Sequence, residues 1–125
     1  MGILNLTQHA ASADQITAGV VEPADKALVQ ALITFDELPS AKELAAKAEA
    51  LAQMAAYDGY AEVMIGGAPF FMAPLEKALH ERGIKPLYAF SRRESVEEHQ
   101  ADGSVKKSAV FRHVGWVTPA DNPGE

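Results

Sequence analysis

The chain has 125 residues, 48% of them hydrophobic and 22% charged, a composition typical of a soluble globular protein with one core. It contains no cysteine, which excludes disulfides and thiolate metal sites. The net charge of −6 argues against a binder of duplex nucleic acid, because such proteins are generally basic. No apolar run approaches the ~20 residues of a membrane span, and the N-terminus lacks a signal-peptide pattern. We therefore expect a cytoplasmic protein that does not contact membranes.

The charge is unevenly distributed along the chain. Six of the 11 Lys and Arg residues, but only four of the 17 Asp and Glu residues, lie between positions 85 and 113. An anion site in this protein is therefore expected to be small and local to that segment.

A short apolar run at 2–6 predicts a buried first strand, and three polar residues follow it: Thr7, Gln8 and His9. Ligands of open α/β sheets bind beyond the carboxyl ends of the strands, so these three residues are candidate site residues. The alternative is that they are ordinary polar loop residues.

Helical patterns follow the first strand. Ser12 with Gln15 has the spacing of a capping box and predicts a short helix that ends at Gly19. Pro23 predicts the start of a second helix over about 24–32, and a possible short strand follows at 33–35. Ser40 with Glu43 predicts a helix to about position 56, with an apolar stripe at helical spacing.

The middle of the chain predicts a strand at 61–65, a Gly66-Gly67 turn and a helix from about Phe70 to position 82. A strand, a glycine turn and a helix start can bind phosphate or carboxylate through backbone N–H groups. Phe70 and Phe71 could cover a flat ligand such as a base. The alternatives are a tight packing turn and a core phenylalanine.

The segment Pro86–Val117 predicts a β-hairpin, because strand-forming residues flank Asp102-Gly103, a strong signal for a two-residue turn. In that register, facing positions sum to 205, so that Arg92 faces His113 and Arg93 faces Arg112. Like charges placed opposite each other are unfavourable and indicate an anion between them. The alternative is that the arginines point to water or pair with carboxylates such as Glu94.

Alternating strands and helices predict an α/β fold with a mostly parallel sheet flanked by helices and extended by the C-terminal β-hairpin. We expect a single domain over 1–118. The polar, proline-rich residues 119–125 predict a flexible tail.

Three motifs carry a resemblance that covers most of the chain: LNLTQH, MIGGAPF and YAFSRRESVEE followed by DGSVKKSAVFRHVGW. Together they resemble small CRISPR-associated Rossmann-fold (CARF-like) proteins of type III systems, of the stand-alone ring-nuclease type. The turn Gly66-Gly67-Ala68-Pro69 differs from the family pattern, and the segment 20–38 has no counterpart.

The resemblance implies a Rossmann-like homodimer that binds cyclic oligoadenylate in a shared pocket and cleaves it without metal or cofactor. The 2′-hydroxyl of the ligand would attack the neighbouring phosphate and thereby switch off the second messenger. The expected catalytic residues are Arg92, His113 and His9. The expected substrate-binding residues are Thr7, Gln8, Gly66, Gly67, Phe70, Ser91 and Arg93.

Other functions fit the same residues. The chain could be another phosphate-handling enzyme that acts on a nucleotide, or a non-catalytic cyclic-nucleotide sensor or sponge. It could also be an interaction protein that uses the hairpin edge for dimerisation. Zinc is disfavoured, because the four histidines show no ligand spacing and cysteine is absent.

Overall fold

The computed structural model describes residues 2–119, so that the predicted tail lies outside the described residues from position 120 onward. The elements in chain order are β1 Ile3–Asn5, α1 Ala13–Thr17, β2 Val20–Val21, α2 Lys26–Ile33, α3 Ala41–Tyr57, β3 Glu62–Met64, α4 Pro69–Glu81, β4 Lys85–His99 and β5 Val105–Val117.

The five strands form one sheet in the order β2-β1-β3-β4-β5. The pairs β1–β2, β1–β3 and β3–β4 are parallel, and β4–β5 is antiparallel. This confirms the predicted α/β class and the mostly parallel sheet. Because β1 and β3 run parallel, the segments that follow them leave the sheet at the same edge.

Alternating strand residues divide the core between the two faces of the sheet. One face carries Leu4, Val63 and Ile65, which pack with buried residues of α2, α3 and α4. The other face carries a smaller cluster of Ile3, Val20, Met64 and Leu87, against which Ala11 and Trp116 pack. The helices α2–α4 therefore cover one face, and the start of the β4–β5 pair helps to cover the other.

The predicted helix starts are largely confirmed. The Ser12 hydroxyl accepts from the Gln15 N–H at 3.2 Å, and the Gln15 side chain accepts from the Ser12 N–H at 3.0 Å. Ser40 caps α3 by accepting from the Glu43 N–H at 3.1 Å. The stripe of α3 that includes Ala48, Leu51 and Ala55 is buried, as its spacing predicts.

Between β1 and α3, the predicted second helix is confirmed with a later start, and the predicted short strand is wrong. The strand expected at 33–35 does not form, because Ile33 is the last residue of α2 and is buried beside Val29 at helical spacing. The helix α2 begins after Asp25, whose side chain caps it, rather than next to Pro23. The two-residue strand β2, which pairs with Ile3 and Leu4 at the sheet edge, was not predicted.

The strands β4 and β5 form a long antiparallel pair, here called the β4–β5 ribbon, which joins Tyr88–His99 to Val105–Val117. The register shows that β3 pairs with β4 only as far as Leu87. Beyond that residue, within the described part of the chain, β4 continues for a further twelve residues with β5 as its strand partner. The ribbon therefore extends past the carboxyl end of β3.

The loop of the ribbon has three residues rather than the predicted two. The Gly103 N–H donates to the Gln100 carbonyl at 3.1 Å, and the Gln100 N–H donates to the Ser104 carbonyl at 2.8 Å. Gly103 has φ +87°, a left-handed conformation that glycine adopts without steric cost. Facing positions in the distal ribbon therefore differ by one residue from the predicted register.

A β-bulge lies between this distal part and the base of the ribbon. Phe90 pairs with Gly115 and Ser91 pairs with His113, so that Val114 is the extra residue. Side chains alternate along a strand, and the extra residue reverses that alternation. As a result His113 and Phe111 lie on the same face of the ribbon as Trp116.

Candidate ligand-binding cavity

A cavity of about 760 Å³ lies where β1 and β3 end and the β4–β5 ribbon begins. Five of the predicted site residues line it together: Thr7, Gln8, His9, Gly66 and Gly67. The rest of its lining consists of Ala10, Ser12, Gln15, Met64, Ile65, Tyr88, Ala89 and Phe111.

The loop after β1 is positioned by Asn5, which is 1% exposed. Its amide nitrogen donates to the His9 carbonyl at 2.8 Å and to the Glu22 carboxylate at 2.9 Å. Its carbonyl oxygen accepts from the Thr7 N–H at 2.9 Å and from the Thr7 hydroxyl at 2.7 Å. Both donors and both acceptor sites of the amide are satisfied, which removes the cost of burying it. Asn5 thereby fixes the main chain that presents Thr7 and His9 to the cavity.

Glu22 connects this network to the next segment of the chain. Its carboxylate also accepts from the Ala11 N–H at 2.7 Å and from the Lys26 ammonium at 3.3 Å. Burial alone would raise the pKa of Glu22, but the hydrogen bonds from Ala11, Asn5 and Lys26 outweigh it and hold the pKa below its ordinary value. Glu22 is therefore an anion that accepts hydrogen bonds at both ends of the loop 7–11, from Asn5 on one side and from Ala11 on the other.

The glycine turn forms a neighbouring wall of the cavity. Gly67 has φ +137°, which strongly favours glycine there. A Cβ at Gly66 would lie 3.7 Å from the Thr7 methyl group, so this turn lies against the loop after β1. Pro69 is the first residue of α4, and Ala68 makes no side-chain cap. The turn thus exposes backbone rather than side chains to the cavity.

Several other lining residues are apolar. Met64 and Ile65 are buried residues at the end of β3, and Ala89 and Phe111 belong to the β4–β5 ribbon. Phe111 is 72% exposed although it lines the cavity.

Tyr88 donates its hydroxyl to Glu76 of α4. Burial raises the pKa of Tyr88 well above its ordinary value, and the hydrogen bond and charge of Glu76 raise it further, so the phenol stays protonated at neutral pH.

The predicted pairing at the root of the ribbon is wrong. Arg92 pairs with Arg112 rather than with His113, and Arg93 pairs with Phe111 rather than with Arg112. The three-residue loop is the physical reason, because it shifts the register by one position. Arg92 and Arg93 are adjacent on one strand, so their side chains leave opposite faces of the ribbon. Arg93 shares the face of Phe111, which lines the cavity.

The remaining predicted residues lie outside the cavity lining. Ser91 is exposed and pairs with His113. Phe70 packs edge-on against Phe35, with ring centroids 5.2 Å apart. The alternative prediction, that an arginine of the ribbon pairs with Glu94, is confirmed for Arg112, whose side chain lies 3.6 Å from the Glu94 carboxylate.

His113 lies between the ribbon and α1. Its ring centroid is 4.5 Å from that of Trp116, and its backbone N–H donates to Asp14 at 3.3 Å. Its Nδ1 is buried and has no hydrogen-bond partner among the described residues. The structure thus places this imidazole in a packing contact beside the cavity rather than in its lining.

Sequence reasoning identified neither Asn5, which positions the loop after β1, nor the eight lining residues beyond the five predicted ones, among them Phe111. A polar residue inside the otherwise apolar run 2–6 is a signal for Asn5, because a buried amide needs specific partners. Phe111 carried no such signal, since its face depends on the loop length and on the bulge.

Comparison of the sequence with known families gives a match that spans nearly all of the described residues. The model of the Uncharacterized protein MJ1673 family matches residues 1–117. The chain belongs to that family. The match extends from the first strand to the last residue of β5, and so includes every residue that lines the cavity. No curated protein and no solved structure matches the chain.

Proposed function

We propose that this member of the MJ1673 family is a cytoplasmic, Rossmann-like (CARF-like) protein that binds and cleaves cyclic oligoadenylate, as a ring nuclease of type III CRISPR signalling. The observation that carries the proposal is the cavity at the carboxyl ends of β1 and β3. It brings Thr7, Gln8 and His9 together with the Gly66-Gly67 turn. This is the location at which open α/β sheets bind their ligands.

The size and lining of the cavity support a nucleotide ligand. Its volume of about 760 Å³ falls within the ~300–1,000 Å³ typical of small-molecule sites. The Thr7 hydroxyl donates to Asn5 and can accept a hydrogen bond from a ribose hydroxyl. The Gln8 amide donates to the Thr34 hydroxyl at 3.4 Å and has a second N–H and a carbonyl oxygen for a base edge. The Gly66-Gly67 turn offers backbone to a phosphate. The Gln8 backbone is held in turn by Gln30, whose amide donates to the Gln8 carbonyl at 3.0 Å.

The proposed reaction is an internal transesterification. A ribose 2′-oxygen loses its proton and bonds to the adjacent phosphorus, while the bond from phosphorus to the 5′-oxygen breaks and that oxygen takes up a proton. The products carry a 2′,3′-cyclic phosphate and a 5′-hydroxyl, and the reaction consumes no water. His9 lines the cavity and is exposed, so we assign proton transfer to its imidazole.

The phosphate contact is assigned to Arg93. No Lys or Arg belongs to the cavity lining within residues 2–119, so positive charge must reach the ligand from the rim. Arg93 is the cross-strand partner of Phe111 and therefore leaves the ribbon on the cavity side. A guanidinium can bind two phosphate oxygens at once and stabilise the charge that develops in the reaction.

A homodimer follows from the same charge argument. A ring of nucleotides carries one negative charge for each phosphate, whereas one chain supplies a single arginine on the cavity side of the ribbon in this proposal. Two-fold symmetry doubles that charge and matches a symmetric ring. Static light scattering of the purified protein, with and without a ring, is expected to give the mass of two chains.

A second candidate is a non-catalytic sensor or sponge for the same ligand. It is favoured by one observation: among the described residues that line the cavity, His9 is the sole imidazole and no carboxylate is present. Such a lining is sufficient for recognition, whereas cleavage depends on His9 together with a group from the rim.

Product analysis separates the two candidates. Labelled cyclic tri-, tetra- and hexa-adenylate are incubated with the protein in EDTA, and the products are resolved by chromatography. Linear products that end in a 2′,3′-cyclic phosphate support the ring nuclease. A ring that is bound but remains intact supports the sponge. If the protein neither binds nor cleaves any of the rings, both candidates are contradicted.

A further inference from the structure

We propose that Phe111 stacks on a purine base of the bound ligand and closes the apolar side of the cavity. This inference rests on the proposed function and adds to it a base-binding residue. Phe111 lines the cavity from the β4–β5 ribbon, and 72% of its surface is exposed. An exposed aromatic ring at a cavity rim offers a large apolar face to a flat ligand.

The surroundings of Phe111 fit a flat ligand that is apolar on its faces and polar at its edge. Ala89 of the ribbon, Met64 at the end of β3 and the next residue, Ile65, contribute apolar surface to the same cavity. The loop after β1 contributes the amide of Gln8 and the imidazole of His9, together with Ser12 and Gln15 of the α1 start. A purine satisfies both kinds of surface, because its ring faces stack and its edge forms hydrogen bonds.

The backbone of the ribbon explains why Phe111 is available for this contact. Without the extra residue Val114, side-chain alternation along β5 would place Phe111 on the face opposite Trp116. The bulge instead puts it on the face of Ala89, which also lines the cavity. β-Bulges commonly redirect side chains next to functional sites. Its cross-strand neighbour Arg93 then lies beside the stacked base, where it can reach the attached phosphate.

Phe90 provides a matched control on the same ribbon. It is 52% exposed, pairs with Gly115 and does not line the cavity. Phe111→Leu and Phe90→Leu both replace an exposed aromatic ring with an aliphatic side chain. Only the first removes an aromatic face from the cavity.

Fluorine NMR tests the contact directly. The chain has five phenylalanines, so protein labelled with 4-fluorophenylalanine gives at most five ¹⁹F resonances. Phe111→Leu and Phe90→Leu assign two of them. Cyclic tri-, tetra- and hexa-adenylate are titrated separately, and adenosine 5′-monophosphate and ribose 5-phosphate are added in parallel. Dissociation constants are measured by calorimetry for the wild type and both variants.

Stacking predicts that a bound ring shifts the Phe111 resonance while the Phe90 resonance stays in place. Loss of base stacking weakens nucleic-acid binding roughly 5- to 150-fold in alanine substitutions, and we expect Phe111→Leu to weaken ring binding by a factor in that range. Phe90→Leu should bind with wild-type affinity. Adenosine 5′-monophosphate should shift the Phe111 resonance, whereas ribose 5-phosphate should not.

The outcomes separate this inference from the proposed function. A ring that binds equally well to wild type and Phe111→Leu, with no shift at Phe111, overturns the stacking role and leaves the function in place. If no ring binds but adenosine 5′-monophosphate shifts the Phe111 resonance, base stacking is supported and the proposed function fails. If no probe binds or shifts the Phe111 resonance, both are overturned.

Discussion

The buried side-chain amide of Asn5 donates a 2.9 Å hydrogen bond to the carboxylate of Glu22, which lies 17 residues later in the chain. The same amide group holds the His9 carbonyl at 2.8 Å, and the same carboxylate holds the Ala11 N–H at 2.7 Å. The two side chains therefore clamp both ends of the loop that forms the polar side of the cavity. A mobile loop could not present His9 in one position, so this network is the structural support of the proposed site.

We expect Asn5→Ala to destabilise the protein strongly. The substitution removes the four hydrogen bonds that the Asn5 side chain makes, and it leaves the Thr7 N–H without this partner, while the His9 carbonyl keeps the Thr7 hydroxyl at 3.1 Å. Each hydrogen bond contributes about 0.5–1.5 kcal/mol, so the free energy of unfolding should fall by roughly 3 kcal/mol. Urea unfolding followed by the fluorescence of the single tryptophan, Trp116, measures the change. Gln53→Ala, which removes an exposed amide from α3, should leave the stability nearly unchanged.

The pKa of Glu22 predicts how the stability depends on pH. Since the pKa is lower in the folded protein than the ordinary value of 4.5, the folded state favours the carboxylate. The resulting stabilisation is fully present above pH 4.5 and is lost as the pH falls through the lower folded pKa. Glu22→Gln cannot ionise and lacks this contribution.

Urea unfolding of the wild type and Glu22→Gln between pH 3 and pH 7 tests this prediction. The difference in the free energy of unfolding should be largest near neutral pH and should shrink as the pH falls below the ordinary pKa of 4.5. Glu37→Gln, in the exposed loop before α3, is the control. A Glu22→Gln difference that stays constant over the whole range would show that the charge of Glu22 contributes nothing.

The loop of the β4–β5 ribbon depends on one glycine. Gly103 has φ +87°, and an L-residue in that conformation costs about 1–2 kcal/mol. Gly103→Ala should therefore increase the hydrogen exchange of the ribbon amides next to the loop while the core amides keep their protection. Gly115→Ala is a matched control, because a Cβ there meets no atom within 4 Å and its φ is not left-handed. Equal exchange in the two variants would contradict the assigned loop geometry.

The sequence predicted much of this fold because its signals are local. The capping pair Ser12 and Gln15, the buried stripe of α3 and the strand–glycine–helix pattern at 61–82 each depend on neighbouring residues. The register of the ribbon could not be derived in the same way. Asp102-Gly103 fits a two-residue turn as well as a three-residue loop with a left-handed glycine, and the two differ by one position. A shift of one position gives every residue of the distal ribbon a different cross-strand partner.

The site was predicted in part for the same reason. Thr7, Gln8 and His9 follow a strand end, and the rule for open α/β sheets places them correctly beside Gly66 and Gly67. The residues of the ribbon were not placed correctly, because their faces depend on the loop and on the bulge. The role of Asn5 depends on Glu22, a partner that only the folded chain brings near.

Arg93 and Arg92 give a test of which ribbon face meets the ligand. Arg93 shares the face of Phe111, whereas Arg92 leaves the opposite face and pairs with Arg112. Loss of a charged hydrogen bond costs about 1.5–3 kcal/mol, so Arg93→Ala should weaken ring binding roughly 10- to 100-fold. It should also reduce the slope of log Kd against log salt by roughly 0.7 for each phosphate that the protein no longer neutralises. Calorimetry at several salt concentrations measures both.

Arg92→Ala is the matched control, since it removes the same charge from the adjacent position. Equal losses of affinity in the two variants would indicate a general electrostatic effect of the ribbon. A larger loss for Arg92→Ala would place the ligand on the other face and contradict the proposed site.

The central claim is that the cavity at the ends of β1 and β3 is where the phosphodiester bond breaks, and the single-turnover rate of His9→Ala tests it most directly. The assay follows a labelled ring that the wild type cleaves, in EDTA, with His99→Ala at the exposed end of the ribbon as the matched control. General acid–base catalysis contributes about 10²–10⁴-fold, so His9→Ala should slow cleavage by at least roughly 100-fold while His99→Ala keeps the wild-type rate. Cleavage by His9→Ala at the wild-type rate would contradict the account and move the chemistry out of the cavity.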